Sequence, residues 1–149
     1  MTTLVRLKVK CPQCNETFRC IVTSSFGFRG IDRQGCREYW GMNPMQYQLV
    51  ECPFCEHIDW YYGYEKLEGE PEDSLVENTP SCDSYMKFAE NLIKSGAESS
   101  IIAFTFQQGG CCKRMNGEDP KTEFQRALEY FRKAKEEGVK PFDKLSIDN

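Results

Sequence analysis

The sequence predicts an α+β fold, in which a small antiparallel β subdomain is followed by a helical C-terminal part. Two observations carry this prediction. Residues up to about Leu67 are rich in aromatic residues, Val, Ile, Gly and Pro, whereas the apolar pattern after Pro80 has the period of a helix. Seven of the nine cysteines precede residue 83, and only one Ala precedes residue 97. The two regions are therefore expected to fold differently, strands first and helices second.

Length and composition limit the class of protein. The chain has 149 residues, of which 40% are hydrophobic and 28% charged, and its formal charge is −4. This length predicts one domain or two very small ones, and the composition argues against general disorder. No apolar run approaches the roughly 18–20 residues that span a bilayer, and residues 1–10 lack the apolar core of a signal peptide. The expected location is the cytoplasm, with no membrane partner.

Three strands are predicted before residue 67. Residues 3–10 alternate, with Val5, Leu7 and Val9 on one face and cations on the other. The second and third predicted strands are residues 46–51 and 58–64. Residues 17–22 are also expected to be in a strand. Residues 24–44 carry four glycines and three arginines, which indicates a long irregular loop.

The remainder of the chain predicts an acidic linker and three helices. The domains are expected at residues 1–67 and 81–149, with a solvated linker over 68–80. Helices are predicted over about 82–94, 98–115 and 119–137, the last with Asp119 as N-cap and Pro120 at its first position. Gly109 and Gly110 lie inside the second helix, where they indicate either a break or a close helix crossing.

A repeated four-residue motif is the strongest chemical signal. Cys11-Pro-Gln-Cys14 recurs as Cys52-Pro-Phe-Cys55, with 37 residues between the inner cysteines. Tetrahedral zinc takes four thiolates, and a Cys-x-x-Cys turn supplies two of them. Each cysteine pair follows a predicted strand and is therefore expected at a hairpin tip. Two hairpin tips that share one ion are typical of a zinc ribbon, although the 37 residues between the pairs exceed the usual spacing. Four protein ligands leave no open coordination position, which makes the predicted zinc structural.

The other cysteines and the histidine are weaker candidates for ligands. An odd number of cysteines in a cytoplasmic protein argues against a disulfide framework. Cys20 is expected in the core, whereas Cys36 lies in the long loop and is a candidate to substitute for a ligand. Cys82, Cys111 and Cys112 are expected as buried thiols on helices. His57, the single histidine, follows Cys55 by two residues and is expected near the surface.

The motifs also resemble a known family, the one catalogued as domain of unknown function 2225. The resemblance rests on Asp32, Tyr47 and three segments, residues 9–14, Gly41-Met-Asn-Pro44 and residues 50–55. It implies metal-ligand roles for the same four cysteines and tetratricopeptide-like helices after them. Two features depart from the family pattern. Asn15 and Glu56 stand where the family usually has Gly, and Pro141 lies two residues after the usual end of a tetratricopeptide unit.

Three functions are compatible with these features. The preferred one is a non-enzymatic, zinc-stabilised scaffold that binds a protein through exposed aromatic residues, namely Tyr39, Trp40, Trp60, Tyr61 and Tyr62. The first alternative is nucleic-acid binding through Arg6, Lys8, Lys10, Arg19, Arg29, Arg33 and Arg37. A net charge of only +1 over residues 1–64 disfavours it. The second alternative is thiol-disulfide redox chemistry, because Cys-Pro-Phe-Cys resembles a glutaredoxin-type dithiol.

Overall fold

The chain divides into two compact units, Met1–Ser84 and Tyr85–Asn149. A computed structural model describes residues 3–138. The N-terminal unit is built from antiparallel strands and the C-terminal unit from helices, so the predicted α+β class is confirmed. Within residues 3–138, no helix has the length and apolar character needed to cross a membrane.

Seven short strands form three separate sheets in the N-terminal unit. They are β1 (Thr3–Lys10), β2 (Thr17–Ser25), β3 (Phe28–Ile31), β4 (Arg37–Tyr39), β5 (Leu49–Glu51), β6 (Ile58–Trp60) and β7 (Glu65–Lys66). The sheet orders are β2-β1-β7, β3-β4 and β5-β6, and every strand pair is antiparallel. The strand predicted over 46–51 is reduced to β5, because a 3-10 turn occupies Met45–Tyr47. A second such turn at Tyr61–Gly63 ends the third predicted strand at Trp60.

Residues 24–44 contain a hairpin where the sequence predicted an irregular loop. Strands β3 and β4 pair within this segment, with Phe28 opposite Tyr39. Asp32 forms the turn, because its Oδ1 accepts the backbone N–H groups of Gln34 (2.8 Å) and Cys36 (3.1 Å). The glycines of this segment have low strand propensity, which is why the sequence predicted a loop. The Asp32 turn and the cross-strand aromatic pair stabilise the hairpin in spite of them.

The core of the N-terminal unit is small and contains sulfur. One cluster of this core contains Val9, Phe18, Val22, Val50 and Tyr64, which pack with Cys11, Cys20 and Cys52. Met45, Leu49 and Ile58 are also buried in this unit. Alternation along β1 places Val9 in this core, while Val5 nearer the strand start is 38% exposed. A core of this size supplies limited hydrophobic stabilisation, so an additional source of stability is expected.

The acidic segment after residue 67 is mostly exposed, as a solvated linker would be, but backbone hydrogen bonds at both ends join it to the sheet. The Leu67 N–H donates to the carbonyl of Lys8 (2.8 Å). Further along, the Arg19 N–H donates to Val76 O (2.8 Å), and the Asn78 N–H donates to Arg19 O (3.0 Å). Residues 68–78, here named the acidic strap, therefore run from the β7 side of the sheet to the outer edge of β2. Composition alone did not reveal this pairing, because the bonds are made by the backbone.

Cations on the sheet pair with carboxylates of the acidic strap. Arg6 Nε lies 2.9 Å from Glu77 Oε1, and Lys8 Nζ lies 3.1 Å from Glu72 Oε1. Arg19 contacts the same Glu77 oxygen at 2.8 Å. Glu72 is exposed, so its pair contributes little stability, whereas Glu77 and Arg19 are more shielded from solvent. The charged face of the sheet is thus largely neutralised within the chain.

Up to residue 138, three helices form the C-terminal part, as predicted. They are α1 (Asp83–Lys94), α2 (Ser99–Met115) and α3 (Lys121–Glu136). Their shared core contains Ala89, Ile102, Ala103, Phe106, Ala127 and Tyr130. Asp119 Oδ1 accepts the Lys121 N–H (3.0 Å), and α3 begins one residue after Pro120 rather than at it. The tetratricopeptide-like character stays a prediction, and Pro141 lies outside the described residues.

The glycine pair leaves α2 unbroken and permits close helix packing. A Cβ atom on Gly109 would lie 2.7 Å from the Cβ of Tyr85 on α1. One on Gly110 would lie 2.5 Å from the ring of Phe124 on α3. Both distances are shorter than any real contact between carbon atoms, so the neighbouring helices approach α2 where it carries no side chain. Of the two alternatives for these glycines, the structure favours close crossing.

Candidate metal centre

Two turns of the same construction carry the repeated motif. Cys11–Cys14 follows β1 and leads into β2, and Cys52–Cys55 follows β5 and leads into β6. In the first turn the Asn15 N–H donates to Cys11 O (2.9 Å), and the Cys11 N–H donates to Glu16 O (3.0 Å). The second turn repeats both bonds among Cys52, Glu56 and His57, at 3.0 and 2.8 Å. Both cysteine pairs therefore lie at hairpin tips, as predicted.

The residue after each motif has a left-handed backbone. Asn15 has a φ of 63° and Glu56 a φ of 64°. Asn adopts this conformation readily, but for Glu it costs about 1–2 kcal/mol. Glu56 therefore keeps this conformation because the surrounding turn imposes it.

The four cysteines of the motif bring their sulfur atoms together. Cys11 Sγ lies 3.6 Å from Cys55 Sγ, and Cys14 Sγ lies 3.8 Å from Cys52 Sγ, so each short distance joins the two turns. All four sulfur atoms lie within 4.8 Å of one another. Tetrahedral coordination with metal–sulfur bonds of about 2.3 Å requires sulfur atoms about 3.8 Å apart. The predicted ligand set therefore has the geometry of a four-coordinate metal site.

Backbone amides point at the first cysteine of each turn. The Gln13 N–H donates to Cys11 Sγ (3.3 Å), and the Phe54 N–H donates to Cys52 Sγ (3.4 Å). Burial raises the pKa of the Cys52 thiol to about 12, against the opposing effect of these amides. Burial acts the same way at Cys11, but there the amide donors and neighbouring thiols prevail and lower its pKa. Amide donors of this kind stabilise sulfur in its anionic, metal-binding form.

Tyr64 supports the second turn from the core. Its hydroxyl oxygen lies 2.7 Å from the carbonyl oxygen of His57 and 2.9 Å from that of Val50. Its ring packs edge-on against Phe18, with the centroids 5.6 Å apart. Burial, followed by the nearby cysteines, raises the pKa of Tyr64, so the hydroxyl stays a donor. Sequence analysis assigned Tyr64 only to a strand, because its partners are carbonyl groups that no side-chain pattern reveals.

Replacing Tyr64 with Phe should weaken the metal centre without abolishing it. The variant Tyr64→Phe leaves two buried carbonyl groups without this donor, so we expect a loss of about 1–3 kcal/mol in unfolding free energy. Chemical denaturation of the metal-loaded protein measures the change. Tyr62→Phe is the matched control, because the Tyr62 side chain is 75% exposed. Equal stability losses in the two variants would contradict the supporting role.

The remaining sequence candidates lie outside the sulfur cluster. Cys20 is 1% exposed in the core, as expected, and burial raises the pKa of its thiol to about 12. His57 is half-buried, and its ring packs edge-on against Tyr64 with the centroids 5.6 Å apart. Among residues 3–138, the group of side chains placed to hold a metal contains neither of them.

The expectation of reduced thiols at the other four cysteines is wrong. Those cysteines are disulfide-bonded: Cys36, Cys82, Cys111 and Cys112. All four are buried, so the predicted burial of the helical cysteines holds although their predicted chemical state does not. A disulfide requires Cβ atoms about 3.5–4.5 Å apart, and sequence spacing carries no information about such proximity. Cys36 is thereby excluded as a substitute ligand.

Comparison with known families agrees with the motif. A family model described as "Uncharacterized protein conserved in bacteria (DUF2225)" matches residues 4–147. The chain belongs to this family. The match extends over the helices of this DUF2225 protein, where the motifs themselves covered only the N-terminal region. Searches of curated proteins and of solved structures returned no match.

Proposed function

We propose that this DUF2225 protein is a non-enzymatic scaffold that is stabilised by one structural zinc ion and binds another protein. Zinc is the metal best suited to four thiolates at hairpin tips. All four coordination positions would be filled by Cys11, Cys14, Cys52 and Cys55, so no position remains for a substrate. The zinc ion would hold the two turns together, and the surrounding surface would make the contacts.

An exposed apolar hairpin is the observation that carries the protein-binding proposal. We name residues 26–42 the aromatic arm. Thirteen large apolar side chains are exposed among the described residues, and five belong to this arm: Phe26, Phe28, Ile31, Trp40 and Met42. Clustered exposure of this kind is typical of binding surfaces. The remaining predicted contacts are less uniform, since Tyr61 and Tyr62 are exposed but Tyr39 and Trp60 are half-buried.

Side-chain contacts within the aromatic arm order it, together with the disulfide bond at Cys36. The Tyr39 ring packs edge-on against Phe26 and Phe28, with centroids 5.5 and 6.0 Å away. The guanidinium of Arg37 lies 4.5 Å from the Phe28 ring centroid. A two-stranded ribbon alone is marginally stable, so these contacts preorganise the arm and lower the entropic cost of binding. Its partner would be a protein with an apolar groove that accepts Trp40 and Ile31.

The ion pairs of the acidic strap favour a protein over nucleic acid as the partner. Arg6, Lys8 and Arg19 belong to the basic set on which the nucleic-acid alternative depends, and all three already contact strap carboxylates. Binding of phosphate groups would have to displace those pairs. The redox alternative also loses support, because Cys55 leads into a strand rather than a helix whose dipole would activate a thiol.

Affinity capture with matched variants tests the proposal. The double variant Ile31→Ser/Trp40→Ser should lose the captured protein, and Tyr62→Ser should retain it, because Tyr62 is exposed but lies outside the arm. Capture from a bacterial lysate is followed by binding measurements with the recovered protein. A second titration measures binding to random single-stranded DNA. Micromolar DNA binding that falls steeply with salt would contradict the protein-binding proposal.

A further inference from the structure

The four cysteines of the metal centre differ in exposure although their turns are alike. Cys11 and Cys52, the first cysteine of each turn, are 0% and 1% exposed. Cys14 is half-buried, whereas Cys55 at the equivalent position of the second turn is exposed. Reagents in solvent therefore reach the sulfur of Cys55 most readily.

Backbone hydrogen bonds reach the two buried sulfur atoms. The Gln13 N–H donates to Cys11 Sγ (3.3 Å), and the Phe54 N–H donates to Cys52 Sγ (3.4 Å). Each amide donor withdraws electron density from a thiolate, so sulfur with more donors is the weaker nucleophile. The amide donors and burial make Cys11 and Cys52 less reactive, and exposure identifies Cys55 rather than Cys14 as the most reactive ligand.

We propose that Cys55 is a modification site at which peroxides open the metal centre. The inference rests on the proposed zinc site, because it concerns thiolates held in that cluster. The Cys55 thiolate attacks one oxygen of hydrogen peroxide, an S–O bond forms, the O–O bond breaks, and hydroxide leaves. Sulfur is oxidised by two electrons to a sulfenic acid while the peroxide is reduced by two.

Cys11 is placed to complete the reaction. Its sulfur lies 3.6 Å from Cys55 Sγ and is the nearest partner across the two turns. The Cys11 thiolate attacks the sulfenic sulfur, an S–S bond forms, the S–O bond breaks, and a second hydroxide leaves. Two thiolates and one hydrogen peroxide thus give one disulfide and two hydroxides. Only Cys14 and Cys52 then remain as ligands, and zinc binding is lost.

The zinc-free protein formed by oxidation differs from the zinc-free protein formed by chelation. A disulfide between Cys11 and Cys55 links the tips of the β1–β2 and β5–β6 hairpins, which the metal held before. Oxidation would therefore release zinc while the two turns stay covalently joined, whereas chelation would leave them unlinked. The joined form would retain more structure, because the cross-link restricts the unfolded chain.

Peptide mapping after limited oxidation tests the inference. Zinc-loaded protein is treated with less than one equivalent of hydrogen peroxide, without reductant, in the presence of a colorimetric zinc indicator. A dimedone-type reagent traps sulfenic acid in a parallel sample. We expect the trapped label mainly on Cys55, zinc release in step with peroxide consumption, and a Cys11–Cys55 disulfide in the untrapped sample. Buried Cys20 serves as an internal unreactive thiol.

The failures of the inference and of the proposed function are distinguishable. Metal analysis before oxidation shows whether the protein holds zinc, and a protein without zinc contradicts both. A zinc-loaded protein that is labelled first at Cys14, or equally at all four ligands, contradicts the inference alone. A disulfide that joins Cys52 to Cys55 within one turn would overturn the predicted cross-link. No variant is required, so loss of folding does not obscure the result.

Discussion

Removal of the metal should unfold the N-terminal unit of this DUF2225 protein. The unit has a small core, and in the cluster beside the hairpin tips Cys11, Cys20 and Cys52 pack with five apolar side chains. Structural zinc contributes about 10–16 kcal/mol of apparent binding free energy in small domains, which is comparable with the whole stability of a domain. The disulfide-bonded Cys36 and Cys82 lie outside the two hairpin tips, so they do not replace the zinc ion that would join them.

Tryptophan fluorescence measures this unfolding selectively. Both tryptophans of the chain, Trp40 and Trp60, lie in the N-terminal unit, so a red-shifted emission after chelation reports that unit alone. The far-UV circular dichroism of α1, α2 and α3 follows the helices in the same sample. Zinc added back without reductant should restore the emission. Metal analysis verifies that the zinc has been removed completely. Tryptophan emission that stays unchanged in such a sample would contradict the prediction.

Replacing Lys113 should strongly destabilise the helical unit. Glu123 is 2% exposed, and its Oε2 lies 2.7 Å from Lys113 Nζ. Lys113→Met leaves a buried carboxylate without its cation, which costs about 3–5 kcal/mol. Urea denaturation followed by helical circular dichroism measures the change. A loss of this size is a large part of the total stability of a small unit.

Two companion variants separate the buried pair from a general effect of losing a lysine. Lys133→Met removes an exposed partner of Glu129, 3.6 Å away, and should cost no more than about 1 kcal/mol. The double variant Lys113→Met/Glu123→Leu removes both charges and should recover most of the stability lost in Lys113→Met. If Lys113→Met and Lys133→Met are equally stable, the buried pair does not have the predicted role.

Predictions that rest on local periodicity and short motifs succeeded. Alternation over residues 3–10 predicted β1, whose pairing with β2 runs along its full length. Apolar spacing predicted α1, α2 and α3 to within a few residues. The four-residue cysteine motif predicted which sulfur atoms converge, because each motif forms its turn from its own backbone bonds.

Predictions that depend on distant partners failed or were not made. Composition indicated a solvated linker after residue 67, but Val76 and Asn78 bond to Arg19 on β2. The glycine-rich loop proved to contain a hairpin, and the supporting bonds of Tyr64 were not anticipated. In each case the partner lies far away in the sequence or is a backbone group without side-chain identity.

Sequence alone therefore determined the α+β class, the order of strands before helices, and the four cysteines of the metal centre. These properties follow from periodicity and from contacts between residues close in the chain. Tertiary structure decided the chemical state of the other cysteines, the neutralisation of the cationic sheet face, and which ligand is exposed. Cys14 and Cys55 occupy equivalent places in two turns with the same backbone bonds, yet only Cys55 is exposed. Packing around the two turns makes that difference, because the backbone of the turns is the same.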